Sequence, residues 1–145
     1  MKEKIAIVRI RGVRKIKPKI KRTLKLLRLE RPNYCVIMDP TSQTIGMLNV
    51  ANDYIAFGKI SREMIYRLLV KRGKKNGVLL SKTLKPKEIE SMANEISEGK
   101  KVKDFADPIF KLHPPRKGFK DTKRHYPTGE LGKREDMDSL VKRMM

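Results

Sequence analysis

Ile5-Ala6-Ile7-Val8-Arg9-Ile10, Tyr34-Cys35-Val36-Ile37-Met38 and Tyr54-Ile55-Ala56-Phe57-Gly58 are three short apolar runs, rich in β-branched residues, inside one stretch of fewer than sixty residues. Each reads as a strand, and the unbroken apolarity of the second marks it as central. Between the first two, Gly12 and Pro18 break the pattern. Pro18 suits the first position of a helix running to about Leu29, because its missing N–H has no partner there anyway. Ile20, Leu24 and Leu27 recur at i, i+4, i+7 and form the buried stripe of that helix. Asp39-Pro40-Thr41-Ser42 is a turn with helix-start residues, and Ile45, Leu48 and Ala51 suit a second helix. The order is β-α-β-α-β, an α/β (α+β) core with helices covering a small sheet.

Outward from this core the pattern becomes helical. Ser61 is positioned to cap a helix over 62–72, buried through Met64, Ile65, Leu68 and Leu69. Lys71-Arg72-Gly73-Lys74-Lys75-Asn76-Gly77 is a basic turn, and Pro86 opens a further helix with Ile89, Met92 and Ile96 on one face. Beyond Phe110, six prolines and glycines forbid long regular elements, apart from a last helical turn at 138–143. The expected organisation is a core at 1–60, a helical extension at 61–110 and an extended basic tail at 111–145. The tail is expected to contribute to assembly and not to folding of the core.

Charge follows the same divisions. The 145 residues carry 36 Lys and Arg against 16 Asp and Glu, a net +20. Residues 1–31 hold 13 basic and 2 acidic residues, whereas 32–58 hold no Lys or Arg at all. A neutral apolar block flanked by basic ones reads as a core with contact surfaces, and the excess attracts polyanions. Arg9, Arg11, Arg14, Lys15, Lys17, Lys19, Lys21, Arg22, Lys25 and Arg28 place ten cations in 20 residues without one acid. They have no internal neutraliser, and RNA phosphate is the natural one, with counterion release as the driving term. Within them Lys21, Lys25 and Arg28 form a stripe opposite the apolar one. In the tail, Arg116, Lys117, Lys120, Lys123 and Arg124 are interleaved with His113, Phe119, His125 and Tyr126, whose rings can stack on unpaired bases.

Other chemistry is thinly represented. The single cysteine, Cys35, excludes an intramolecular disulfide and lies mid-strand with no adjacent base, so it reads as an inert thiol. His113 and His125 lack further metal ligands at zinc-type spacing. Glu88, Glu90 and Glu95 read as a solvated helix face. No glycine-rich phosphate loop follows the first strand. No run approaches the ~20 apolar residues of a membrane span, and a soluble, intracellular protein is expected. Neither an active site, nor a metal, a cofactor, a small-molecule substrate or a membrane partner is expected.

Leu24, Leu27, Leu29, Arg31, Val36, Met47, Leu48, Ala51, Tyr54 and Ile55 stand in an order and spacing that resembles the L-thirty family of large-subunit ribosomal proteins, in its archaeal form. The eukaryotic counterpart is the L-seven protein. Tyr34 departs from the pattern, which usually has a small polar residue there. The stretches Phe110–Phe119 and Gly129–Gly132 resemble the extension of archaeal and eukaryotic members. The resemblance implies a partly ferredoxin-like fold, a three-stranded sheet with two helices on one side. It also implies a non-catalytic rRNA-binding constituent of the cytoplasmic large subunit, near 5S rRNA and among other ribosomal proteins. The alternative is a stand-alone basic RNA-binding or RNA-chaperone protein.

Overall fold

The computed structural model describes residues 4–12, 14–119, 123–126 and 128–145. Strand β1 (Lys4–Arg9) is its axis, buried along its whole length. It pairs antiparallel with β2 (Tyr34–Met38) on one side and β3 (Ile55–Ile60) on the other, with Ile7 opposite both Val36 and Phe57. Strand alternation then sorts the core into two clusters. Ile5 and Ile7 point to the face covered by α1 (Pro18–Leu26) and α2 (Ser42–Val50), where they meet Leu24, Leu27, Leu29 and Leu48. Ala6 and Val8 point to the opposite face.

That second face is covered by α3 (Arg62–Arg72), which Ser61 caps by accepting from the Met64 amide at 3.3 Å. A two-residue hairpin, β4 (Lys74–Lys75) and β5 (Val78–Leu79), and a single helical turn, α4 (Leu80–Thr83), lead into α5 (Pro86–Ser97). Met64, Ile65, Leu68 and Leu69 of α3 and Ile89, Ala93 and Ile96 of α5 share one buried cluster with the β1 residues. Glu88 also has a specific task, since its carboxylate accepts the Lys85 amide at 3.2 Å and caps α5. Glu95 pairs with Lys100 at 3.0 Å.

Helix α1 stops three residues short of the expected end. The Leu29 amide reaches back to the Leu24 carbonyl at 2.9 Å, and the Arg28 amide to that of Lys25 at 3.0 Å. These two bonds are a Schellman closure, and they put Arg28 at φ +64°, a position usually held by glycine.

The expectation of a tail outside the core is overturned. Strand β6 (Phe110–Lys111) adds antiparallel to β2, and β7 (Gly132–Lys133) adds parallel to β3, giving the order β6-β2-β1-β3-β7. The outer edges of β2 and β3 are therefore each partly covered by a two-residue strand from the C-terminal part of the chain. Helix α6 (Met137–Met144) packs on β3, burying Met137, Leu140, Val141 and Met144. Leu112 and Leu131 are buried as well, and half-buried Phe119 packs against the same cluster. Gly58 records the fit, because a Cβ there would collide with the Arg134 carbonyl oxygen and stand 3.2 Å from the Met137 Cβ.

Charge pairing fastens the segment. Arg134, almost fully buried, bonds to buried Glu130, and to Asp136 at 2.9 and 3.0 Å. Burial alone would lower the Arg134 pKa, but the bonds to Asp136 and Glu130 outweigh it and hold the pKa up. The same contact holds the Asp136 carboxyl below the usual carboxylate range.

Candidate nucleic-acid interface

The ten-cation stretch begins at the end of β1 and continues through the basic connection into helix α1. Amphipathic spacing buries Leu24 and Leu27 and turns Lys21, Lys25 and Arg28 to solvent, joined there by Lys17, Lys19 and Arg22. Arg14 and Lys15 are exposed on the loop. Among the described residues, none of these eight cations is in an ion pair or donates a side-chain hydrogen bond. Arg11 sits with its guanidinium 5.1 Å from the centre of the Tyr54 ring. Arg11, Gly12, Arg14, Lys15, Pro32 and Tyr54 line an open cleft of about 540 Å³.

Arg9 must be removed from this set. It is 3% exposed, and its side chain donates to the carbonyls of Leu29 at 2.7 Å, Arg11 at 3.0 Å and Gly12 at 3.1 Å. Burial lowers its pKa, partly offset by Tyr54. A guanidinium stays protonated in such a setting, and its planar fork matches several carbonyls at once. Arg9 therefore ties the end of α1 to the start of the basic loop and does not reach a phosphate. Ile5, Ile7 and Arg9 continue one period-2 series, and that signal points Arg9 inward.

In the C-terminal segment His113, Arg116, Lys117, Lys123 and Arg124 are exposed, and Lys120 lies outside the described residues. Two expected stacking rings are already engaged. His125 Nε2 is 2.9 Å from Asp53 Oδ1, beside the α2–β3 turn, and the Arg134 guanidinium lies 5.3 Å from the centre of the Tyr126 ring. These contacts hold the segment onto the core, and the His125 side chain remains 45% exposed.

Backbone conformation adds a signal that sequence alone does not carry. Among the described residues five non-glycines have positive φ, and three of them are the expected contacts Lys15 (+55°), Arg28 (+64°) and Lys117 (+67°). Such conformations cost of order 1–3 kcal/mol and gather at functional sites. Cys35, in contrast, is buried opposite Phe110, and its thiol is pushed up to about 12 by burial. It offers no nucleophile. Among the described residues no group of three or more His, Cys, Asp and Glu side chains is arranged to hold a metal ion, and no helix is long and apolar enough to cross a membrane.

The family model described as ribosomal protein L30p/L7e matches residues 5–55, from β1 to the start of β3. The large ribosomal subunit protein uL30 of Archaeoglobus fulgidus is 43% identical over 149 aligned positions, covering 96% of this chain and 98% of the relative. The chain belongs to the uL30 family. The uL30 proteins of Methanothrix thermoacetophila and Methanocella arvoryzae are 38% and 37% identical, each again covering 96% of this chain and 98% of the relative. Because these uL30 matches run nearly end to end, the C-terminal segment that partly covers the sheet edges lies within the shared region and outside the narrower family match.

Proposed function

We propose that this uL30 chain is a non-catalytic structural constituent of the large ribosomal subunit that binds and stabilises rRNA. The observation that carries the reading is the unpaired cationic surface of the basic connection and α1, set on a rigid sheet by Arg9. Phosphates would release their condensed counterions on meeting it, which makes the binding electrostatic and salt-dependent. The contacts in this reading are Arg11, Arg14, Lys15, Lys17, Lys19, Lys21, Arg22, Lys25 and Arg28, extended by His113, Arg116, Lys117, Lys120, Lys123 and Arg124. Residues 1–60 form the RNA-binding core, 61–110 buttress the other face of the sheet, and 111–145 cover part of its edges and add cations. Partners are large-subunit rRNA in the neighbourhood of 5S rRNA, together with adjacent ribosomal proteins, in the cytoplasm.

Sucrose-gradient sedimentation of a cell extract, probed for this chain, tests the assignment. Sedimentation almost entirely with large subunits is expected, and a predominantly free pool would favour a stand-alone RNA chaperone. Crosslinking within purified large subunits tests the placement near 5S rRNA.

A further inference from the structure

The β4–β5 hairpin has no evident task in folding. Its strands are two residues long, Lys74 and Lys75 are exposed, and Val78 stands 47% exposed. A hairpin this short is at best marginal in isolation. The structure nevertheless fixes it firmly. Asn76 and Gly77 take the paired positive φ angles (+53° and +83°) of a two-residue type I′ turn. The Asp107 amide donates to the Lys74 carbonyl at 2.8 Å, and the Leu80 amide to that of Gly73 at 2.9 Å. At Gly73 a Cβ would collide with the Leu69 carbonyl oxygen, so the hairpin is seated directly on the end of α3.

Between this hairpin and the edge strand β6 runs a groove of about 550 Å³, with Lys71, Arg72, Lys74 and Lys111 on its walls and Asp107 as the one carboxylate. Among the described residues Lys71, Arg72, Lys74 and Lys75 have no ion-pair partner. Lys71 and Arg72 favour the C-terminal dipole of α3, which gives those two a structural reason. Lys74, Lys75 and Lys111 lie beyond the helix and have no such reason. Lys111 Nζ is 5.9 Å from the centre of the Tyr34 ring, and among the described residues no aromatic side chain lines the groove. The groove thus offers cations on a fixed backbone without a stacking platform, a surface suited to phosphodiester groups and not to bases.

We infer that the groove between the β4–β5 hairpin and β6 is a further RNA-binding site, which grips the phosphodiester backbone independently of sequence. The inference rests on the RNA-binding reading above and adds a contact outside both the N-terminal and the C-terminal cation sets. A rigid hairpin backbone loses little further entropy on binding, which accounts for a pinned turn that buries almost nothing.

Lysine acetylation of the full-length chain, free and saturated with a large-subunit rRNA fragment, tests it by mass spectrometry. Loss of acetylation is expected at Lys74 and Lys111 as well as at Lys21 and Lys25. Protection of Lys21 and Lys25 with Lys74 and Lys111 as reactive as in the free chain would overturn the groove and leave the broader reading standing. Protection at none of them would overturn both. The same protection with polyglutamate in place of RNA would assign the groove to acidic peptides instead. In parallel, the double change Lys74→Gln, Lys111→Gln keeps the Asn76-Gly77 turn, and it should lower the salt slope of RNA binding by about 2. An unchanged slope would also count against the site.

Discussion

Arg28 holds a left-handed backbone at the end of α1, where glycine would be relaxed, and places a cation at the helix C-terminus. The change Arg28→Gly separates folding from binding. Stability should stay within about 1 kcal/mol of the parent or rise, because relief of the φ strain offsets the added freedom of the unfolded chain. The salt slope of RNA binding should fall by about 1. A thermal melt and a salt titration read the two effects separately. Arg9 should behave in the reverse sense. Arg9→Ala strands three carbonyls and should cost about 3 kcal/mol, while the salt slope of RNA binding by the folded fraction stays unchanged. Arg9→Lys should not rescue it, because an ammonium does not span those acceptors as a fork does. Charge counting alone could not tell these two arginines apart. One ends an inward-facing strand series and the other follows a helix closure, so backbone geometry divides them.

At the scale of elements, the starts of the helices were legible and the ends of the chain were not. Pro18, Ser61 and Pro86 act through local chemistry that a sequence displays. Strands β6 and β7 are two residues each, too short for any period, and their hydrogen-bond partners lie some 75 positions away in the sequence. The prolines and glycines beyond Phe110 gave correct evidence against long elements, but they did not preclude docking. Leu112 and Leu131 are buried one at a time, without periodicity, whereas Met137, Leu140, Val141 and Met144 recur at i, i+3, i+4, i+7 over only eight residues. Truncation after Phe110 should therefore unfold the domain, since it uncovers β3 and removes a wall of the main cluster. The gentler change Leu140→Ala should cost about 2–5 kcal/mol by chemical denaturation. The Arg134–Asp136 contact adds a pH signature. The Asp136 carboxyl is depressed chiefly by its bond from Arg134, with partial burial opposing. Its stabilisation is complete above the ordinary value of 3.8 and is lost as pH falls through the lowered one. Asp136→Asn should thus be less stable than the parent at neutral pH, with the difference closing under acid.

Across the whole molecule, a net +20 makes salt act in two directions. In the free protein, screening relieves self-repulsion, so the thermal midpoint should rise with added salt. Bound to RNA, the same salt removes the entropy of counterion release. If about six phosphates are neutralised, affinity should fall on the order of a thousandfold between roughly 50 and 200 mM salt. A midpoint that falls with salt, or a flat binding response, would contradict this distribution of charge. The order β6-β2-β1-β3-β7 also has a consequence for biosynthesis. Translation delivers β1, β2 and β3 some 75 residues before β7 and α6. Until those later elements emerge, β3 lacks its outer neighbour and the apolar face that α6 covers stays open to water. A nascent chain halted in that interval is an aggregation-prone intermediate.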